Sequence, residues 1–327
     1  PSVNLALFSE NIIRLNKSIS LIPGFRLEYI RTKSQGDFTD VEDRAGLVFL
    51  DGGDTTTKNR LILLGGLGIS IKLSKGVELY SNITSNYRAI NFTDIQINGE
   101  LQEVDPNIKD EKGYSLDIGI RKRNYKKFYF DVSLFYINYG NRIGEIRDDD
   151  RRIRKNIGKA EIYGLETFLE VNLIELLSSN SKHKLTYFFN GAYSKGRYSD
   201  VDETSLDGVR EGNRVENFPL YNIKEGISYG YQSFNCTFQH TYLSAQFSDA
   251  QNTVQNDFNS GTVGIIPAYS VFDFSAKYHV NEYLNLGLSI NNFTDRIYFT
   301  RRATGYPGPG ILPAQGRTWF ITLGLKL

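Results

Sequence analysis

Four arginines stand where strand-like sequence meets long polar connections: Arg88, the adjacent Arg301 and Arg302, and Arg317. A guanidinium carries a permanent charge and a fixed fork of N–H donors, so it suits anions rich in carboxylate oxygens. Tyr306 and Gln315, in the same C-terminal connection as Arg301 and Arg302, add neutral hydrogen-bonding groups. Residues for covalent or metal chemistry are scarcer. His183, His240 and His279 lie far apart, with no i, i+4 pairing that would set two imidazoles on one metal. Cys236 is alone, which excludes an intrachain disulfide and a cysteine zinc cluster. No catalytic residue, metal site or cofactor is therefore expected. The run Arg147, Asp148, Asp149, Asp150, Arg151, Arg152 reads as a solvated loop tip, because it lacks the spaced oxygen ligands and glycine turn of a calcium site.

The elements that position these residues are strands. Trp319, Ile321, Leu323, Leu325 and Leu327 alternate with Phe320, Thr322, Gly324 and Lys326. Leu284, Leu286, Leu288 and Ile290 alternate with Asn285, Gly287, Ser289 and Asn291, and the same period of two runs through 112–124, 127–140 and 267–279. About thirteen strands are expected, near residues 3–14, 18–31, 60–73, 76–90, 112–124, 127–140, 159–173, 183–196, 220–232, 234–247, 267–279, 282–295 and 317–327, each with an uninterrupted apolar face.

Their connections alternate in length. Short links fall at Asn16-Lys17, Ser74-Lys75-Gly76, Asn124-Tyr125-Lys126, Ser178–Lys182, Gln232-Ser233 and Val280-Asn281. Long polar ones occupy 32–59, 91–111, 141–158, 197–219, 248–266 and 296–316. An antiparallel meander with every short turn at one end and every long loop at the other is the plan of an outer-membrane β-barrel. A β-sandwich would use strands of about half this length, and a propeller would show repeated blade motifs. The fold class expected is thus all-β, a transmembrane antiparallel up-and-down barrel.

Composition agrees. The chain of 327 residues holds 21 Tyr, 21 Phe and 30 Gly against 8 Pro, which suits strands and tight turns. Lys+Arg at 38 nearly cancels Asp+Glu at 37, so nucleic acid is not expected as a partner. A mean hydropathy of -0.35 would suggest a soluble protein, but only alternate residues of a barrel strand meet lipid. Met is absent and the chain starts at Pro1, which leads us to expect a piece of a longer protein.

Several stretches resemble the TonB-dependent receptors of the bacterial outer membrane, and in particular ferric dicitrate and ferric-siderophore receptors of the Bacteroidetes type. LALFSENIIRLNKSISLIPGFRLEYI resembles a strand-turn-strand passage of that family through Phe8, Glu10, Asn11, Pro23, Gly24, Arg26 and Glu28. VELYSNITSNYRAINFTDI resembles a later strand leading to a large loop, and AEIYGLETFLEV matches a Gly-x-Glu strand through Gly164 and Glu166. LNLGLSINNFTDRIYFTRR resembles the penultimate strand through Asn291, Asn292, Phe293 and Asp295, and GYPGPGILPAQGRTWFITLGLKL the last loop and closing strand. One departure is the terminal Leu327, where the family usually ends in an aromatic residue.

The resemblance implies a 22-stranded barrel with a plugged lumen, of which residues 1–327 supply the C-terminal portion, the plug and first strands lying outside the chain. It implies energised uptake of a scarce ligand, a ferric chelate such as ferric citrate or a siderophore. The partners implied are the plug domain, the TonB-ExbB-ExbD complex and outer-membrane lipid. A receptor for an oligosaccharide, peptide or cobalamin, or a passive porin, remains an alternative. Arg88, Arg301, Arg302, Tyr306, Gln315 and Arg317 are the expected ligand-binding residues at the outer mouth. Arg26, Glu28, Lys72, Glu78, Asp117, Arg121, Asp131, Glu166, Glu170, Asp273 and Lys277 are expected to line a hydrated lumen.

Overall fold

The structure is a computed structural model that describes residues 2–35, 55–73, 76–91, 94, 102–122, 127–148, 151–178, 181–201, 209–255, 261–303 and 309–326. It is built almost wholly of strands. In chain order these are β1 (Ser2–Glu10), β2 (Ile13–Arg14), β3 (Ile19–Gln35), β4 (Thr55–Lys72), β5 (Val77–Arg88), β6 (Gln102–Val104) and β7 (Glu111–Lys122). Then come β8 (Phe128–Asp148), β9 (Arg151–Asn172), a short helix α1 (Leu173–Leu177), β10 (His183–Asp200), β11 (Tyr221–Tyr231) and β12 (Phe234–Leu243). The last are β13 (Gln246–Phe247), β14 (Ile265–Ile266), β15 (Tyr269–His279), β16 (Leu284–Asn291), β17 (Phe299–Ala303), β18 (Gly310–Pro313) and β19 (Thr318–Leu325).

Thirteen of these strands follow one another across a single sheet, in the order β1-β3-β4-β5-β7-β8-β9-β10-β11-β12-β15-β16-β19. Every neighbouring pair on that path is antiparallel. β1 and β19 are not paired with each other, so the sheet is an open wall. Off the path, β2 extends the first hairpin along β3, and β6 lies parallel to the start of β9. Two small ribbons, β13–β14 and β17–β18, stand apart.

The register aligns the apolar faces. One row crosses the wall as Phe128, Val171, Tyr187, Ile227, Phe238, Phe274, Ile290 and Trp319. Leu7, Leu27 and Leu63 form a similar row at the other edge, and all three are exposed. Such a face, open to its surroundings and lacking polar cover, fits hydrocarbon rather than water. The expected lumen charges lie on the opposite face. There Arg121 grips Glu78 through Nε and Nη2, both at 3.1 Å, and the Tyr80 hydroxyl donates to Asp131 at 2.6 Å. Among the described residues no helix is long and apolar enough to cross a membrane; strands do the crossing.

Two of the short turns are closed by asparagine side chains. Asn16 Oδ1 accepts the N–H groups of Ser18 and Ile19, both at 2.8 Å, and Asn281 Oδ1 accepts those of Tyr283 and Leu284, both at 2.9 Å. This is the Asx geometry that makes asparagine a turn residue. Asn172 caps α1 in the same way, accepting from Glu175 N at 3.1 Å. The turns at 74–75 and 123–126 lie outside the described residues.

Three expectations are corrected. Over its described residues the long connection at 141–158 is not a loop: β8 runs up to Asp148 and β9 down from Arg151, paired antiparallel, with bulges between Tyr139 and Ile143. Strands of 21 and 22 residues far exceed the roughly ten that cross a bilayer, so their upper halves stand in water on both faces and lose the alternation that marks the lower halves. Arg152 is not part of a solvated tip. It is buried, paired with Glu145, and donates to the carbonyls of Ser248 at 2.9 Å and Thr262 at 3.3 Å. The apolar face is not uninterrupted: it carries an ionisable pair, Glu225 and His240, which share a register position on β11 and β12.

Above the wall the long connections fold into a cap with its own core. Ile146, Ile157, Ala160, Tyr198, Val209, Val215 and Ala250 form a buried cluster that joins the tall hairpin to the 209–219 and 245–252 segments. A second cluster joins Ile90, Ile108 and Ile143.

Candidate functional site

The mouth of the wall is held by polar clamps. At its centre, Tyr198 donates to Glu216 Oε2 at 2.6 Å beneath the tall hairpin. Gly144 makes room for this pair: a Cβ there would lie 2.8 Å from both the Tyr198 hydroxyl and a Glu216 oxygen. Burial raises the Glu216 carboxyl above its usual range, against the pull of the Tyr198 hydroxyl and Arg142. Burial, and then Glu216 itself, raise the Tyr198 phenol well above its ordinary value.

Arg88, at the top of β5, donates to Asp94 Oδ1 at 2.6 Å and Glu111 Oε1 at 3.1 Å. Glu111 is almost fully buried and also receives Arg142 at 3.0 Å and the Ile143 N–H at 2.8 Å. Arg88 is therefore engaged by two carboxylates and serves as a brace of the rim. Asp110, beside it, collects Arg60 Nε at 2.7 Å, the Tyr87 hydroxyl at 2.5 Å and the Ile90 N–H at 2.9 Å. None of these carboxylates stood out in the sequence, since each lies in a polar connection without a motif.

Arg302 is likewise turned inward. It is buried and donates to the carbonyls of Gly261 at 2.6 Å and Ile265 at 3.0 Å, with its guanidinium 5.2 Å from the centre of the Phe299 ring. Arg152 holds the same 261–266 segment from the β9 side through Thr262. Two buried arginines thus clamp one loop. Arg301, the adjacent residue on β17, is exposed and forms no ion pair among the described residues.

Arg317 sits just before β19 and is exposed. Its N–H donates to Asp295 Oδ1 at 2.8 Å, its Nη1 reaches the Phe293 carbonyl at 3.4 Å, and its Nη2 lies 4.0 Å from Asp295 Oδ2. Gln315 is exposed, and its carbonyl accepts from Asn292 Nδ2 at 3.2 Å. Asn292 also bonds the Arg296 backbone twice, at 2.8 and 2.9 Å, from a left-handed conformation with φ of 50°. The Asn-Asn-Phe-Thr-Asp stretch is thus a clasp that fixes the chain on which Gln315 and Arg317 stand. Tyr306 lies outside the described residues.

Lower in the lumen a concavity of about 520 Å³ is lined by Tyr80, Asp131, Glu166, Asn190, Asn222 and Lys224, among others. The Gly-x-Glu stretch has a physical reason here. A Cβ on Gly164 would lie 2.9 Å from the Phe135 ring and 2.1 Å from the Tyr193 carbonyl, so glycine lets that ring lie flat while Glu166 lines the recess.

A meander of long strands with an apolar outer face, a charged inner face and a folded cap defines an outer-membrane β-barrel wall. The family model for the TonB dependent receptor-like β-barrel matches residues 2–293, and the chain belongs to that family. It is similar to the "Vitamin B12 transporter BtuB" of Vibrio vulnificus strain YJ016, at 26% identity over 272 residues, covering 80% of this chain and 36% of that protein. It is similar also to the "Probable TonB-dependent siderophore receptor PiuA" of Acinetobacter baumannii, at 21% identity over 244 residues, covering 70% of this chain and 28% of that protein. Among solved structures, the ferric citrate transporter FecA in its unliganded form superposes with a TM-score of 0.76 at 21% identity, covering 99% of this chain and 45% of FecA. The chain spans about a third of the length of these curated relatives. The fold, the outer-membrane location and the receptor family follow; these proteins are receptors and transporters rather than enzymes.

Proposed function

We propose that this chain forms part of the wall and mouth of a receptor that captures an anionic ferric chelate, such as ferric citrate or a siderophore, for TonB-dependent import. The observation that carries the reading is the state of the last connection. Arg301, Gln315 and Arg317 stay exposed at the mouth while the clasp of Asn292 and Asp295 holds the backbone of Gln315 and Arg317 in place. Arg88 and Arg302 take the supporting part, holding rim and loop. The charged lumen below is the surface that a plug domain covers, and TonB-ExbB-ExbD acts through parts of the receptor outside this chain.

Support for the iron-chelate branch comes from the likeness to PiuA and FecA. The similarity to BtuB favours cobalamin as the second reading. In a full-length receptor carrying this chain, R301A and R317A should each weaken ferric citrate or siderophore binding by about tenfold, as loss of a charged hydrogen bond costs about 1.5 kcal/mol. Cobalamin binding with no response to ferric chelates, and no effect of either substitution, would decide for the second reading.

A further inference from the structure

Glu225 and His240 project from the lipid-facing side of the wall. Their own row runs Phe130, Leu169, Phe189, Glu225, His240, Phe272. Along β11 Glu225 is flanked on its own face by Ile223 and Ile227, and along β12 His240 by Phe238 and Tyr242. His240 Nδ1 lies 3.3 Å from Glu225 Oε1, Tyr187 donates to Glu225 Oε2 at 2.8 Å, and His240 Nε2 is 3.2 Å from the Ser270 hydroxyl. The side chains remain 36% exposed for Glu225 and 24% for His240. An ionisable pair on a lipid-facing surface is costly unless a polar partner covers it.

Depth decides which partner can reach it. Tyr221, packed against Tyr193 with ring centres 5.3 Å apart, marks the upper aromatic rim of this part of the wall; Tyr231, stacked on His183 at 4.3 Å, marks the lower. Glu225 is four residues from the first and six from the second. For strands rising about 3.3 Å per residue and tilted by about 40°, it sits roughly 10 Å below the upper rim and roughly 15 Å above the lower. Lipid headgroups lie at the rims and do not reach it, and acyl chains offer it no hydrogen bond.

We propose that this face is the contact between two copies of the receptor, side by side in the membrane. An acid and a base at adjacent register positions are self-complementary about a two-fold axis: Glu225 of each copy meets His240 of the other, and no charge is left over. The rings around them supply a flat apolar surround. His240 stacks on Phe272 at 4.6 Å, and Phe238 contacts Phe272 at 5.7 Å and Phe293 at 6.4 Å. The inference does not depend on the cargo.

The test uses the full-length receptor in outer membranes, with the native Cys236, which shares the outer face of β12 with His240, as the cross-linking handle and heat-modifiable gel migration as the check on folding. The wild-type pair should give an efficient disulfide-linked dimer. E225H places two bases on the face and H240E two acids, so each alone should lower cross-linking about tenfold. Co-expression of the two should restore it, because each carries what the other lacks. A folded receptor that fails to cross-link with the wild-type pair, or a mixture of E225H and H240E no better than either alone, would overturn the proposal and leave the cluster as an internally bonded patch facing lipid.

Discussion

The backbone N–H of Arg317 is held by Asp295 Oδ1 at 2.8 Å, across 22 residues of chain. With the Asn292–Gln315 bond, it ties the turn after β16 to the start of β19. Asp295 adopts a left-handed conformation, φ 54°, that asparagine also accepts readily and alanine resists. The side chain that aims Arg317 is thus also the residue that permits the turn.

From this relationship we expect D295A to weaken ferric-chelate binding to about the same extent as R317A, because Asp295 aims Arg317. D295N keeps both the turn and an acceptor oxygen and should retain most of the affinity. Titration of the purified receptor with ferric citrate, beside heat-modifiability as a control on assembly, separates the two. Equal affinities for D295A and wild type would remove the clasp from any part in binding.

The arginine clamp makes a different prediction. In R302A the carbonyls of Gly261 and Ile265 lose their donors, so amides in 261–266 should exchange with deuterium at least tenfold faster, while β15 and β16 stay protected. R302K should not rescue the clamp, because an ammonium lacks the planar fork that reaches two carbonyls at once. Unchanged protection of 261–266 in R302A would mean that Arg152 alone holds the segment.

How much of this was legible follows from where water is. Between the aromatic rims one face of every strand meets lipid, so Leu284–Ile290 or Phe128–Tyr136 must alternate, and thirteen strands are read straight from that demand. Above the rims the demand disappears. Residues 141–148 and 151–158 are strand but look like a loop, and Tyr198 and Glu216 meet through tertiary packing that no local spacing announces. Arg301 and Arg302 are neighbours of the same type, yet one is exposed and the other buried against carbonyls about forty residues away. Position along the chain selected both; only the fold tells them apart. Glu225 and His240 were hidden by the apolar majority around them.

The Tyr198–Glu216 pair should give the cap a pH response. Burial raises the Glu216 carboxyl above the usual carboxylate range. For an acid whose folded pKa is raised, the stabilisation is complete below the unfolded value and is lost as pH rises through the folded one. Protection of amides 209–217 should therefore fall as pH rises above the usual carboxylate range. E216Q keeps an acceptor for Tyr198 and should flatten this dependence. G144A, whose added Cβ meets both members of the pair, should lower protection at every pH by about 1–3 kcal/mol. The same slope in E216Q as in wild type would assign the response to another group.

The two faces of the wall should differ sharply in their tolerance of charge. Leu286 lies on the outer face, exposed, between Tyr278 and Leu323, whereas its neighbour Gly287 pairs with Lys277 on the lumen side. L286R sets a guanidinium against hydrocarbon close to the lower rim, where the cost ranges from about 1 to 4 kcal/mol with depth. K277A removes a charge from a hydrated lumen and should cost almost nothing, because water solvated that charge already. Urea unfolding of the full-length receptor in lipid vesicles reads both. L286R should lower the midpoint and slow assembly, with K277A within error of wild type. The reverse order would exchange the inner and outer faces of the wall. It would put the Glu225–His240 pair in the lumen and the Arg121–Glu78 grip in lipid, an arrangement at odds with the apolar row from Phe128 to Trp319.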